Sequence, residues 1–336
     1  MGLRKLTVLG PGCWGLTLAW LLTDNFEQVT VWGRESDIPE DLIKNKHTSK
    51  PLEVQLQDKV VITSDLAEAI KDADIILSVI ATSGTRDVCE NLKKAGIRPC
   101  QILVNASKGI ELPSLMRMSE VIAEVLPEQK LVVLSGPTLA KEVLAGKPTA
   151  ACVASKDRDA SALVQKKCSV PGRFRLYTNP DVIGVELGGS LKNVIAIASG
   201  FAHEMGLGDN CAGALLTRGM AEIVRVSIKL GANPSTLYGL SGMGDLIATC
   251  SSPMSRNYTV GAMLGKGKKI DDILKELGSV AEGVKTSKAI CELAKKLDID
   301  VPVSNAIYEA VYTDITPQEL LNKLMNRKLK EEERYI

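Results

Sequence analysis

Two histidines in 336 residues, no Cys-x-x-Cys pair and almost no net charge exclude several classes of function at once. His47 and His203 lie far apart, and the eight cysteines (Cys13, Cys89, Cys100, Cys152, Cys168, Cys211, Cys250, Cys291) are scattered. Structural zinc needs clustered soft ligands, so no metal site is expected. Lys and Arg number 41 against 40 Asp and Glu, a formal charge of +1. Nothing global therefore favours nucleic acid or an anionic membrane, although a local patch stays open. No run reaches the roughly 18 apolar residues of a membrane helix. The start, MGLRKLTVLGPG, enters a strand-like segment without the apolar stretch of a signal peptide. A reducing cytoplasm is the expected setting. With 28 Gly and 14 Pro the composition is ordinary for a globular chain, and the length suits two domains with separate cores.

The first half alternates strand-like and helix-like segments. Leu6–Leu9, Gln28–Trp32, Val60–Ile62, Asp74–Ile80, Gln101–Asn105, Leu131–Leu134 and Arg173–Tyr177 are β-branched or apolar runs, and Asp65 is placed to cap the helix LAEAI. Strands spaced by helices imply βαβ units and a mostly parallel, doubly wound sheet. After about Val185 the strands nearly vanish, and segments such as GVELGGSLKNVIAIASG, ALLTRGMAEIVRVSIKLG, IDDILKELG and TSKAICELAKKL read as helices. The expected architecture is α/β, a Rossmann-type domain over 1–185 followed by an all-helical domain over 186–336.

Chemistry concentrates in a few places. Gly10-Pro11-Gly12-Cys13-Trp14-Gly15 is a G-x-G-x-x-G between the first strand and the first helix. Gly10 permits the tight turn, Gly12 the approach of a pyrophosphate, and Gly15 close packing of helix on strand. At the end of the second strand an NAD-selective site usually carries an acid, and here the residues are Gly33-Arg34-Glu35. Arg34 suits a 2′-phosphate and Glu35 could still reach a ribose, so cofactor preference stays open. Lys108, in NASKG, leaves the carboxyl end of a strand, where open α/β sheets bind ligands. Ser135-Gly136-Pro137-Thr138-Leu139-Ala140 follows another strand. Lys192 and Asn193 sit in an apolar helical pattern behind Gly188-Gly189. Desolvation there lowers a lysine pKa toward the range a general acid or base needs, although a snorkelling structural lysine is the alternative. Asp245, between Gly244 and Leu246, needs a partner, and Lys192 is the one expected. Ser255-Arg256-Asn257 offers a hydroxyl, a guanidinium and an amide, a set suited to a phosphate monoester.

These segments together resemble the bacterial-type glycerol-3-phosphate dehydrogenase family. The resemblance runs nearly the whole chain, in order through GPGCWG, NASKGIE, LSGPTLAKEV, GVELGGSLKNVIAIASG, GLGDN, LLTRGMAEI, GLSGMGDLIATC, SRN and VAEGV. It implies interconversion of dihydroxyacetone phosphate and sn-glycerol 3-phosphate with NAD(P)H, supplying phospholipid backbones. It also implies roles. Cys13, Trp14 and Arg34 match cofactor contacts, as do Ala140, Val280 and Glu282. Lys108 matches a lysine touching cofactor and substrate. Gly136 and Thr138 match substrate positions. Lys192 matches the general base, with Asn193 and Asp245 beside it. Ser255, Arg256 and Asn257 match substrate positions, Arg256 reaching the cofactor as well. The chain departs from the family at Pro11 and Cys13, where Ala and Ser are frequent. It departs again at Ile80-Ala81-Thr82-Ser83 and at Leu139. The expected partner is a small phosphorylated substrate, without nucleic acid or stable membrane insertion, and a homodimer is left open. The rivals are a reductase of a 3-hydroxy or ketopantoate-like acid and a non-catalytic nucleotide sensor. Neither has a use for the whole set of Lys192, Asp245 and Ser255-Arg256-Asn257.

Overall fold

Near-continuous apolar runs, in which successive residues face opposite sides of the sheet, give the first half of the chain two cores, one on each face of a single sheet. In the computed structural model, which describes residues 3–50, 52–278, 281–329 and 331–332, the strands are β1 (Lys5–Leu9), β2 (Gln28–Trp32), β3 (His47–Thr48), β4 (Val54–Gln55), β5 (Val60–Thr63), β6 (Ile75–Ser78), β7 (Ile102–Asn105), β8 (Lys130–Ser135), β9 (Thr149–Ala154) and β10 (Phe174–Asn179). Eight of them form one sheet in the order β10-β9-β8-β7-β6-β1-β2-β5, all pairs parallel except β8–β9. Leu6, Val8, Ile75, Leu77, Ile102 and Val104 pack on one face, with the helices Cys13–Leu22 and Arg158–Cys168. Leu9, Ile76 and Leu103, the intervening residues, pack on the other, with the helices Thr85–Lys94 and Met118–Val125. That is the period-two signature of a sheet buried on both sides. Asp65 caps its helix as expected, accepting from the Glu68 N–H at 3.0 Å.

Three strands escaped the sequence reading. β9 is TAACVA, poor in β-branched residues, and is a strand because both its edges are paired. β3 and β4 form a two-residue antiparallel hairpin too short to leave a pattern.

β1 lies between β2 and β6, so the order of strands reverses there. Ligands of doubly wound sheets bind outside the carboxyl ends at such a switch point.

The second compact unit is helical. Val182–Glu204 and Gly208–Lys229 are its long helices, followed among the described residues by seven shorter α-helices ending at Pro317–Met325. The division of the chain differs from the expected cut at 185. Val185 lies inside the helix Val182–Glu204, the second unit begins at Ile183, and Lys108–Leu115 belongs to it as well. Ile110 and Leu115 of that excursion are buried in the helical core. Val182–Glu204 is long and apolar enough on average to cross a membrane, although Glu186 and Lys192 interrupt its apolar run, and 83% of its most apolar window is buried inside the fold.

Glu222, inside Gly208–Lys229, is a buried carboxylate that holds a neighbouring helix. It accepts from the Val303 N–H (2.6 Å), the Ser304 N–H (3.0 Å) and the Ser304 hydroxyl (2.8 Å), at the start of the helix Pro302–Tyr312. Burial pushes its pKa up to about 7, against the three hydrogen bonds and the nearby Arg225, which lower it. Because the folded pKa is raised, Glu222 favours the fold most at pH values below its unfolded pKa, and that contribution is lost as pH rises to about 7. Its full size is at most about 3 kcal/mol. Glu222→Gln should flatten the corresponding part of the stability–pH curve in chemical denaturation between about pH 4.5 and 7. An unchanged slope would contradict this assignment.

Candidate active site

Asp245 is the centre of the helical unit's polar interior. It is 1% exposed, and each carboxylate oxygen meets a different ammonium group. Oδ1 is 2.8 Å from Lys192 Nζ, and Oδ2 is 2.6 Å from Lys108 Nζ. Thr249, one helical turn beyond Asp245, completes the cluster. Its hydroxyl accepts from Lys192 Nζ at 2.5 Å and donates to Asp245 Oδ1 at 3.1 Å. Lys192 is 6% exposed, whereas the side chain of Lys108 keeps 19% of its surface. The cluster therefore opens toward the Lys108 side.

Local backbone geometry places these groups. Leu240–Gly244 is a wide turn in which the Gly244 N–H donates to the Gly239 carbonyl, five residues back, and it leads straight into the helix Asp245–Cys250. This turn packs directly on the long helix. A Cβ at Gly188 would lie 2.8 Å from the Ser241 carbonyl oxygen and 3.0 Å from Gly242 Cα. Gly188 is one turn before Lys192, so the close approach of the backbones brings the carboxylate to the lysine.

The electrostatics follow from burial. Desolvation lowers the Lys192 pKa to about 8. Asp245 opposes the shift, and the second ammonium of Lys108 adds to it. For Asp245, burial alone would raise the pKa, but the coulombic pull and hydrogen bonds of Lys108 and Lys192 outweigh it and hold the carboxyl below its usual value.

A second polar chain adjoins the first. Asn257 donates through Nδ2 to Asn193 Oδ1 (2.9 Å) and accepts through Oδ1 from the Gly283 N–H (3.0 Å). Ser255 caps the helix Arg256–Gly265, its hydroxyl accepting from the Tyr258 N–H at 3.3 Å. Arg256 is exposed in the first turn of that helix, and no carboxylate pairs with it among the described residues. Glu282 opens the helix Glu282–Leu297 beside Gly283; Val280 lies outside the described residues. Thus Lys108, Lys192, Asn193, Asp245 and Asn257 are joined by hydrogen bonds, directly or through neighbours in the chain. Thr249 and the Lys108–Asp245 pair were missed in the sequence. The i+4 spacing of Thr249 from Asp245 was a usable signal; the 137 residues between Lys108 and Asp245 offered none.

The remaining candidates belong to the sheet unit. Gly10 has φ +106°, and its N–H donates to the Trp32 carbonyl at 2.8 Å. No side chain caps the helix that Gly12 begins, and a Cβ on Gly12 would meet nothing within 4 Å. Open backbone and uncapped N–H groups suit a pyrophosphate. Gly15 packs so tightly that a Cβ would overlap the Gly10 carbonyl oxygen. Cys13 is half-buried, and the half-buried Trp14 ring makes a T-shaped contact with Phe174, centroids 6.4 Å apart. Arg34 is exposed and paired with Asp37 at 2.6 Å. After β8, Gly136 has φ +152° and presses on Ala151, the Thr138 hydroxyl donates to the Gly136 carbonyl at 3.1 Å, and Ala140 starts the next helix. The residues present fit a dinucleotide at the carboxyl edge of this sheet.

Replacing Asp245 with Asn would leave two ammonium groups without their carboxylate. Denaturant unfolding of Asp245→Asn should show a loss of about 2 kcal/mol, less than the roughly 3–5 kcal/mol usual for a broken buried pair because Lys192 can shed its proton. Unchanged stability would mean that the pair is not formed in solution.

Known proteins match nearly the whole chain. Residues 5–161 match the N-terminal family of NAD-dependent glycerol-3-phosphate dehydrogenase, and residues 181–322 match the C-terminal family. A curated glycerol-3-phosphate dehydrogenase [NAD(P)+] of Listeria monocytogenes is 45% identical over 331 residues, covering 97% of both chains. One from Carboxydothermus hydrogenoformans is 44% identical over 335 residues and 99% of both. Among solved structures, glycerol-3-phosphate dehydrogenase of Coxiella burnetii superposes with a TM-score of 0.90 at 31% identity, over 96% of this chain and 99% of that one. The chain belongs to the NAD-dependent glycerol-3-phosphate dehydrogenase family.

Proposed function

We propose that this protein interconverts dihydroxyacetone phosphate and sn-glycerol 3-phosphate with NAD(P)H, and that it supplies glycerol phosphate for phospholipid synthesis. The observation that carries the reading is the Asp245 carboxylate held between Lys108 and Lys192, with Lys192 near pKa 8.

When bound, the nicotinamide supplies or accepts the hydride at C2 of the substrate. Lys192 Nζ gives a proton to the oxygen that becomes the C2 hydroxyl, and in the reverse direction the neutral amine removes it. Asp245 and Thr249 fix the direction of the Lys192 hydrogens, and Asp245 keeps the ammonium form accessible at neutral pH. Lys108, the more open of the two lysines, stabilises negative charge growing on that oxygen. Arg256 and Asn257, with Ser255 and Asn193, hold the phosphate, and Gly136 and Thr138 are the further substrate positions that the family resemblance implies. Gly10, Gly12, Cys13, Trp14, Gly15, Arg34 and Ala140 bind the cofactor, with Lys108, Arg256, Val280 and Glu282 contributing. The protein works as a small-molecule enzyme of the cytoplasm.

Purified protein should oxidise NADH or NADPH with dihydroxyacetone phosphate and fail with unphosphorylated dihydroxyacetone. Lys192→Ala should lower turnover by at least about 100-fold while leaving NADPH affinity unchanged. Turnover within about threefold of wild type would remove Lys192 from the mechanism.

The pH dependence has a definite sign. Ketone reduction needs the protonated lysine, so its kcat/KM should fall as pH rises through about 8. Alcohol oxidation needs the neutral amine and should rise through the same range. Profiles flat between pH 7 and 9 in both directions would contradict the assignment.

A further inference from the structure

Gly33 follows β2 at the place where an NAD-selective site of this architecture carries a carboxylate for the ribose 2′-hydroxyl. The absence of a side chain there has a steric cause. A Cβ on Gly33 would lie 2.8 Å from both Cδ and Cγ of Pro11 and 3.0 Å from Cγ1 of Ile38. Pro11 is the second residue of the glycine turn, and a pyrrolidine ring closed onto its own backbone nitrogen has no rotamer by which to swing aside. A backbone bond keeps the two segments in register, the Gly10 N–H donating to Trp32 O at 2.8 Å, and the Gly33 N–H is fixed in turn by Thr63 O of β5 at 3.3 Å. Pro11, a departure from the family's frequent Ala, and Gly33 are thus one packing unit.

Arg34 comes next, exposed, its guanidinium oriented by Asp37 through Nε (2.6 Å) and Nη2 (3.1 Å). A planar fork held this way keeps donors for a second anion. Glu35 and Ser36 are the other polar residues of this exposed turn.

We propose that Pro11 and Gly33 form a specificity lock, which keeps a carboxylate out of the ribose corner and leaves Arg34 to select the cofactor that carries a 2′-phosphate. The lock rests on the glycine-turn reading given under Proposed function. It predicts a preference for NADPH that is built from packing as well as from charge.

The test is cofactor binding by the unliganded protein, with dissociation constants for NADPH and NADH from nucleotide fluorescence or calorimetry. Wild type should bind NADPH about tenfold tighter or better, the scale of one charge-assisted contact. Gly33→Asp alone should weaken both nucleotides, because the new Cβ meets the Pro11 ring. Pro11→Ala combined with Gly33→Asp should shift the NADPH:NADH affinity ratio about tenfold or more toward NADH. Arg34→Ala, a change at an exposed side chain, should weaken NADPH about tenfold and leave NADH within about twofold. It decides the matter if the double variant fails to fold. Equal or tighter NADH binding by wild type would overturn the lock, as would a gain of NADH preference by Gly33→Asp alone. So would an unchanged ratio in a folded double variant, or equal losses of both nucleotides in Arg34→Ala. If wild type binds neither nucleotide, the cofactor-turn reading itself fails, and the lock with it.

Discussion

A carboxylate taken out of water and shared by two ammonium groups is the constraint on which the helical unit depends. Burying Asp245 without partners would cost far more than any single packing contact could return. Both lysines are therefore required where they are, and each comes from a distant part of the chain. Lys192 sits in the middle of a long apolar helix, and Lys108 arrives on an eight-residue excursion, Lys108–Leu115, that packs with the helices instead of with the sheet from which it emerges. Two cations facing one anion leave the cluster with an excess positive charge. That excess, together with desolvation, makes Lys192 ready to release a proton and Lys108 able to stabilise an oxyanion.

Such a cluster tolerates little displacement, and glycine is how the chain controls it. Gly188 lets the turn carrying Asp245 lie directly on the long helix, and Gly283 lets the helix Glu282–Leu297 start against Asn193 and Asn257. A Cβ at Gly283 would come within 2.7 Å of the Asn193 carbonyl oxygen and 2.8 Å of Asn257 Oδ1. At Gly283 glycine shortens the distance between a backbone and a polar side chain. In the sheet unit the glycines act on the turn itself, where Gly10 supplies the positive φ and Gly15 the close packing.

Much of this was legible in the sequence, for physical reasons. β1, β2, β6, β7 and β8 are runs dense in Val, Ile and Leu that only a sheet buried on both faces requires, and the helical second half declared itself by the loss of such runs. Lys192 was visible because a cation inside an apolar helical pattern is costly without a partner, and Asp245 because a carboxylate between glycine and leucine is costly too. What stayed hidden depends on contacts between distant residues. β9 is a strand by its neighbours and not by its composition. The bond from Lys108 to Asp245 and the fit of Pro11 against Gly33 exist only once the chain is folded. The excursion Lys108–Leu115 stayed hidden because composition follows the chain, whereas this segment leaves one unit for the other without any change of texture.

The most direct test of the account is to titrate the Lys192 side-chain nitrogen itself, by NMR of protein labelled at the lysine amino groups and assigned through Lys192→Arg. The midpoint should lie at about 8 in the wild type and lower in Asp245→Asn, where the supporting carboxylate is gone and Lys108 remains. A midpoint near the ordinary lysine value of 10.5, unaffected by Asp245, would contradict it.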